Sequence, residues 1–155
     1  MATILEVWVE LTRKISEAIP ECKVYRCYDV ASELADIAAD NTPRIYIQLE
    51  GVESTPIGGG DALKNIEDTT DFTINLIWKT RTKKVSEYDN LLPYVEKIAA
   101  ALRYRKFGKP TELFSVLNPS FGTNGELYDK ELLTDEGCFV TTISVQTKSR
   151  RSVNG

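Results

Sequence analysis

Apolar positions along this chain follow two periods, and the switches between them divide it into elements. Leu5, Trp8, Leu11 or Thr12, Ile15 and Ile19 recur at spacings of three and four, which places one apolar stripe along a first helix. Thr3 and Glu6 form a T-x-x-E capping box at its start, and Pro20 ends it. "CKVYRCY", residues 22–28, is short and β-prone, and it predicts a strand or an extended link. "DVASELADIAAD" puts Val30, Leu34, Ile37 and Ala38 on one face with Asp29 or Ser32 as a cap. A shorter second helix is expected there, ending before Asn41 and Pro43.

Strict alternation follows. In "PRIYIQLEGVE", Ile45, Ile47 and Leu49 oppose Tyr46, Gln48 and Glu50; in "DFTINLIWKTR", Phe72, Ile74, Leu76 and Trp78 oppose Thr73, Asn75 and Lys79. These are two half-buried strands expected to pair antiparallel, with roughly twenty unpatterned residues between them as a long loop. Ser86 and Asp89 then open the longest amphipathic stretch, in which Tyr88, Leu91, Leu92, Val95, Ile98, Ala99 and Leu102 share a face. Pro93 implies a kink or a helix proper that begins near Leu92. Arg103, Arg105 and Lys106 suit the negative end of that helix, and Gly108 stops it.

Beyond Pro110 the chain reads β: "ELFSVLNPSFG", "ELYDKELL", a "TDEG" turn, and "CFVTTISVQTKSR", whose β-branched content suits a central strand. Nothing splits the chain, so residues 1–148 are read as one domain and 149–155 as a polar C-terminal tail that orders on contact. The expected class is α+β. It has an antiparallel sheet, mixed at most, of about four to five strands, with two main helices on one face and a long β-hairpin loop.

Composition narrows the chemistry. The 155 residues are 42% apolar and 27% charged with a formal charge of −4, the balance of a single globular core. That balance gives no basis for nucleic-acid binding. Histidine is absent, which removes the commonest general acid/base and metal ligand. Cys22, Cys27 and Cys138 contain no C-x-x-C pair, and their odd number suits reduced packing thiols. "MATILEVWVELTRK" places acids inside its apolar stretch, so no secretory leader is expected. No run approaches the ~18 apolar residues of a membrane span.

Candidate motifs resolve the same way. "TPIGGGDALKN", residues 55–65, has neither the G-x-x-x-x-G-K-[ST] of a phosphate loop nor a third glycine at Leu63 for a dinucleotide fingerprint. Carboxylates are plentiful, and a pair such as Asp68 with Asp71, or Glu126 with Asp129, could serve acid/base work, but nothing singles any pair out. Ser120 in "NPSFG" lacks a nucleophile elbow. Tyr25, Tyr28 and Tyr46 beside Arg26 and Arg44 suggest an aromatic-basic surface for single strands, which strand alternation also produces freely. No catalytic, cofactor or metal residue is expected. A partner-contact loop remains, made of Thr55, Pro56, Ile57, Gly58, Gly59, Gly60, Asp61, Leu63 and Lys64. Its triple glycine is the pliable tip, and Pro56, Ile57 and Leu63 supply grip. Arg150 and Arg151 in the polar tail are candidate further contacts.

The order of elements resembles that of the tail terminator (tail-completion) proteins of tailed bacteriophages. The resemblance lies in "ILEVWVELTRKISEAIP", "PRIYIQLEGVE", the GGG loop, "DFTINLIWKTR", "YDNLLPYVEKIAALR" and "FVTTISVQTKSR". It implies a non-enzymatic subunit of a hexameric ring that sits on the tail tube, ends its polymerisation and offers a joining surface to the head-tail connector or head-completion protein. The expected partners are further copies of the chain, the tail tube protein and that connector. No membrane is expected, and no nucleic acid beyond DNA passing through the ring lumen. The place implied is the tail or neck of the virion, after synthesis in the host cytoplasm. A related neck or head-completion connector is the alternative. From a different class, a small nucleic-acid-binding or ligand-binding domain is another.

Overall fold

A computed structural model of the 155-residue chain describes residues 3–36, 42–57, 65–80, 82, 84–102, 106–107, 114–116, 119–122 and 126–152. The fold is α+β, built on one mixed and mostly antiparallel sheet. The elements in chain order are α1 (Ile4–Ala18), β1 (Lys23–Cys27), a 3₁₀ helix (Val30–Asp36), β2 (Arg44–Ile57) and β3 (Asn65–Lys79). A second 3₁₀ helix (Val85–Asn90) leads into α2 (Leu92–Leu102). Then come β4 (Lys106–Phe107), β5 (Phe114–Val116), β6 (Ser120–Phe121), α3 (Lys130–Glu136) and β7 (Cys138–Ser152). The strand order is β1-β2-β3-β7-β5-β4, with β6 also on β7. Five of these strands have three or more residues. β1 pairs parallel with β2, and the remaining pairs are antiparallel.

The capping box forms as the sequence indicates: the Glu6 N–H donates to the Thr3 hydroxyl at 3.1 Å. The buried stripe of α1 is Val7, Trp8, Leu11 and Ile15, with Ile19 just beyond it. Leu5, expected in that stripe, is 57% exposed, and Val7 takes its place toward the sheet. Residues 30–36 form a 3₁₀ helix where an α-helix is expected, and positions 37–41 lie outside the described residues. Pro93 falls in the first turn of α2, where its missing N–H costs no helical bond, so the helix begins at Leu92.

α1 and α2 cover one face of the sheet. Ile45, Ile47, Phe72, Ile74, Leu76, Ile143 and Val145 meet Val7, Trp8, Leu11, Ile15, Val95 and Ile98 in the main core. The Trp8 indole N–H donates to the Ile47 carbonyl at 3.0 Å inside this layer, satisfying the one polar atom of a large apolar side chain. A smaller cluster of Cys27, Tyr46, Ile77, Cys138 and Val140 lies on the other face, touched by Val30 and Leu132.

Three expectations are corrected. "ELYDKELL" is not a strand: Asp129 accepts the Leu132 N–H at 3.1 Å and starts α3, which Gly137 closes in the left-handed region at φ 68°. Helix formation lets neighbouring leucines serve different clusters, with Leu133 in the main core and Leu132 on the opposite one. The long loop is also shorter than expected. β2 runs to Ile57 and β3 restarts at Asn65, so most of the unpatterned stretch is paired strand. Finally, residues 149–152 are not a tail. β7 continues to Ser152, with Ser149 opposite Asp68 and Ser152 opposite Asn65.

Gly122 follows β6 at φ 71°, and a Cβ there would lie 2.0 Å from the Glu126 carbonyl oxygen. Gly122→Ala is therefore expected to lower stability by about 2 kcal/mol or more. Gly51→Ala, whose Cβ would meet nothing within 4 Å, should stay within about 0.5 kcal/mol of the parent. Urea midpoints compare the two, and equal midpoints would contradict this close approach.

Candidate functional site

The part of the sheet that leaves the helices behind begins at a bulge. Leu49 stands opposite Phe72 and Gly51 opposite Asp71, so Glu50 is the extra residue. Beyond it, β2, β3 and β7 continue as an arm of residues 51–57, 65–71 and 146–152, with β5 alongside β7 at Thr147 and Lys148. None of these belongs to a hydrophobic cluster among the described residues.

The arm's inner row, continuous with the core face, is polar and buried. Asp68 and Thr70 are fully buried, Thr147 likewise, and Ser149 nearly so. A buried carboxylate is tolerated only when paired and hydrogen-bonded. Asp68 meets both conditions: Arg151 Nε donates to one oxygen at 2.7 Å and the Ser54 hydroxyl to the other at 2.6 Å. The Thr147 hydroxyl donates to the Thr70 carbonyl at 3.4 Å. The outer row carries charge in solvent, with Arg150 3.9 Å from Glu67 and Gln146 donating to Asp71 at 3.0 Å.

Thr55, Pro56 and Ile57 of the expected contact loop lie in β2, opposite Glu67, Ile66 and Asn65. Pro56 is accommodated because β1 covers β2 only from Arg44 to Gln48, so Pro56 stands on an open edge that needs no further donor. Gly58, Gly59, Gly60, Asp61, Leu63 and Lys64 lie outside the described residues. Arg150 and Arg151, read as tail residues, are instead anchored on β7 and ion-paired to β3. The Asp68–Arg151 pair escaped the sequence reading because its partners are 83 positions apart.

The structure separates the other candidates. Asp68 faces inward and Asp71 outward on the same strand, so they cannot share a proton. Glu126 is 3.6 Å from Lys130, while Asp129 caps α3. Ser120 is exposed on β6, beside an open hollow of about 600 Å³ that Glu50, Asp71, Phe72, Ser144 and Gln146 also line. Both carboxylates there accept from glutamine amides, Gln48 reaching Glu50 at 2.8 Å. Among the described residues no three His, Cys, Asp or Glu side chains are grouped to hold a metal, and no helix is long and apolar enough to cross a membrane.

The aromatic-basic set is split by the sheet. Tyr25 stacks on Tyr46 at 5.2 Å on one face, and burial pushes the Tyr46 phenol upward against the opposing pull of Arg44. On the other face, Tyr28 meets the edge of Trp8 at 5.1 Å and Arg26 lies over the Trp8 ring at 5.5 Å. No continuous stacking track joins the two groups. The cysteines are buried and free, and burial pushes the thiols of Cys22 and Cys27 up to about 11 and that of Cys138 in the same direction. They are packing groups.

Two expectations follow from this geometry. Arg151→Ala leaves the Asp68 carboxylate buried without its cation and should cost about 2 kcal/mol, below the full penalty of a buried pair because Arg151 is itself part-exposed. Amide exchange should quicken first at residues 65–68; unchanged exchange there would refute the anchoring role. The raised thiols should leave all three cysteines nearly inert to a disulfide reagent at about pH 8, because little thiolate is present below the raised values. All three should react once the chain is unfolded in guanidinium. Rapid labelling of the folded protein would contradict their burial.

Comparison with known proteins finds no family model that matches this chain and no curated protein that matches it.

Proposed function

We propose that this protein is a structural virion assembly protein, a ring subunit that caps the phage tail tube, ends its polymerisation and offers the surface to which the head is joined. The observation that supports the reading is the arm. Three long strands continue past the last core residues of β2 and β3, share a buried ion pair, and flank the glycine-rich segment of the sequence between Ile57 and Asn65. An extension without a hydrophobic cluster of its own adds little to the stability of the core, so its length makes physical sense as reach toward another protein. Separation of the tyrosines and arginines onto two faces speaks against a track for single-stranded nucleic acid.

In this reading, copies of the chain form a closed ring of about six by heterologous contacts. The arm and its glycine tip contact the tube, and avidity across the ring compensates for the ordering cost of each weak contact. The protein carries out no turnover and needs no cofactor.

The test is to add purified protein to the matching tail tube protein as it polymerises. Tubes of limited length with a ring at one end are the expected result. Serine at Gly58, Gly59 and Gly60 should leave the unfolding free energy within about 0.5 kcal/mol while weakening the capping. Tubes that grow unchecked would overturn the terminator reading; binding to the head connector in their place would make the chain a neck or head-completion protein.

A further inference from the structure

β1 pairs with β2 only from Arg44 to Gln48, and among the described residues no strand pairs with the outer edge of β2 from Gly51 to Ile57. Such an edge presents backbone N–H and C=O groups to any extended segment that reaches it. Pro56 identifies which groups these are. It has no N–H, so within a ladder its nitrogen must point away from β3. Residues of an antiparallel strand turn their backbone groups to alternate sides, and the register from Gly51 to Ile57 is unbroken. Val52 and Ser54 therefore face outward with Pro56, while Glu53 and Thr55 bond to β3. The extra residue at Glu50 sets this parity: paired numbers sum one higher after the bulge than before it, and without that step Pro56 would turn onto β3.

The charge around this edge is negative. Glu50 and Glu53 are exposed on β2, and no base occurs between Leu49 and Ile57. On the neighbouring β3, Glu67 and Asp68 are matched by Arg150 and Arg151, while Asp71 meets only the neutral Gln146 amide and keeps its charge. β1 adds Lys23 and Arg26, and the turn after it adds Asp29 and Glu33. Arg26 lies over the Trp8 ring, on the helix-covered face. At the end of β1, burial and then Glu33, Asp29 and Glu50 push the Cys27 thiol up, so these three acids converge where β1 stops and the open edge begins. Acids remain in excess after both bases are counted.

These features restrict what fits. An open ladder accepts an extended backbone, as strand addition to a sheet edge requires. The bulge bounds it at one end, and Pro56, which offers a carbonyl but no N–H, bounds it at the other. Val52, 40% exposed, stands between them as an apolar contact. Excess carboxylate selects a basic occupant and repels nucleic acid. A second copy that laid its own β2 here would set Glu50 and Glu53 against the same acids.

We propose that an extended, lysine- or arginine-bearing segment of a partner protein adds as a strand to β2 between Gly51 and Pro56, its backbone on Val52 and Ser54 and its cations beside Glu50 and Glu53. This rests on the reading of the arm as a contact element and names the chemistry of what the arm meets. Because the cations meet exposed carboxylates, added salt weakens the binding, and the backbone ladder keeps it from vanishing.

The experiment titrates the full chain against a labelled synthetic peptide of about eight residues, alternating valine and lysine, with fluorescence anisotropy as the readout. The lysine peptide should bind, and its glutamate counterpart should bind at least about tenfold more weakly. Backbone N-methylation at one set of alternate peptide residues should abolish binding, and at the other set should leave it, since only one side of an added strand bonds to β2. Val52→Pro removes an outward N–H of the same parity as Pro56, so circular dichroism should show the fold kept while lysine-peptide binding falls about tenfold or more. Glu53→Lys should weaken the lysine peptide and strengthen the glutamate one. Binding indifferent to both N-methylation sets would reduce the contact to charge attraction and overturn strand addition. No lysine-peptide binding up to about 1 mM would overturn the proposal, as would light scattering that shows a dimer held by this edge and dissociated by Glu53→Lys. The tube-capping assay judges the ring reading separately.

Discussion

Strand β3 is hydrogen-bonded along both edges, to β2 from Asn65 to Ile77 and to β7 from Asn65 to Lys79. The rest of the molecule depends on that double pairing. A strand paired on both sides has every backbone group satisfied, so its side chains are free to differ from one end to the other. At the Leu76 end its inner row is apolar and draws α1 and α2 onto the sheet; at the Asp68 end the same row is polar. One continuous ladder therefore spans an apolar core and an arm whose buried inner row is polar.

The change of character occurs at a defined place. The bulge at Glu50 breaks the register of β2 just where the last core residues, Leu49 and Phe72, stand opposite each other. A bulge increases local twist and bends the strand, which suits a departure from the plane set by the helices. Beyond it, an ion pair between Asp68 and Arg151 takes over the joining role that apolar contacts perform in the core. Such a pair adds less net stability than hydrophobic packing, but it favours one register, because a slip of one residue would bury the carboxylate without its cation.

Exposure is distributed according to the same division. The helix-covered face holds the main core, and the opposite face carries a smaller buried cluster beside an open hollow.

Periodicity in the sequence was enough for the α+β class, α1 with its cap, the start of α2 at Leu92, and the alternation of β2, β3 and β7. Each of these rests on local spacing, and burial of one face rewards that spacing directly. It was not enough for α3, where two adjacent leucines look alike for strand and helix until the two sides of the sheet are known. Nor did it show that Leu5 faces solvent, since a stripe at spacings of three and four specifies a helix face only to within a neighbouring position. Of the candidate site, Thr55 to Ile57 read as loop residues in the sequence, and neither their strand pairing nor the anchoring of Arg150 and Arg151 was legible. These join residues as far apart as Asp68 and Arg151. Local pattern determines which side of an element is apolar; only the assembled sheet decides what lies opposite it, because a polar strand end is indistinguishable from a loop until a partner strand supplies its hydrogen bonds.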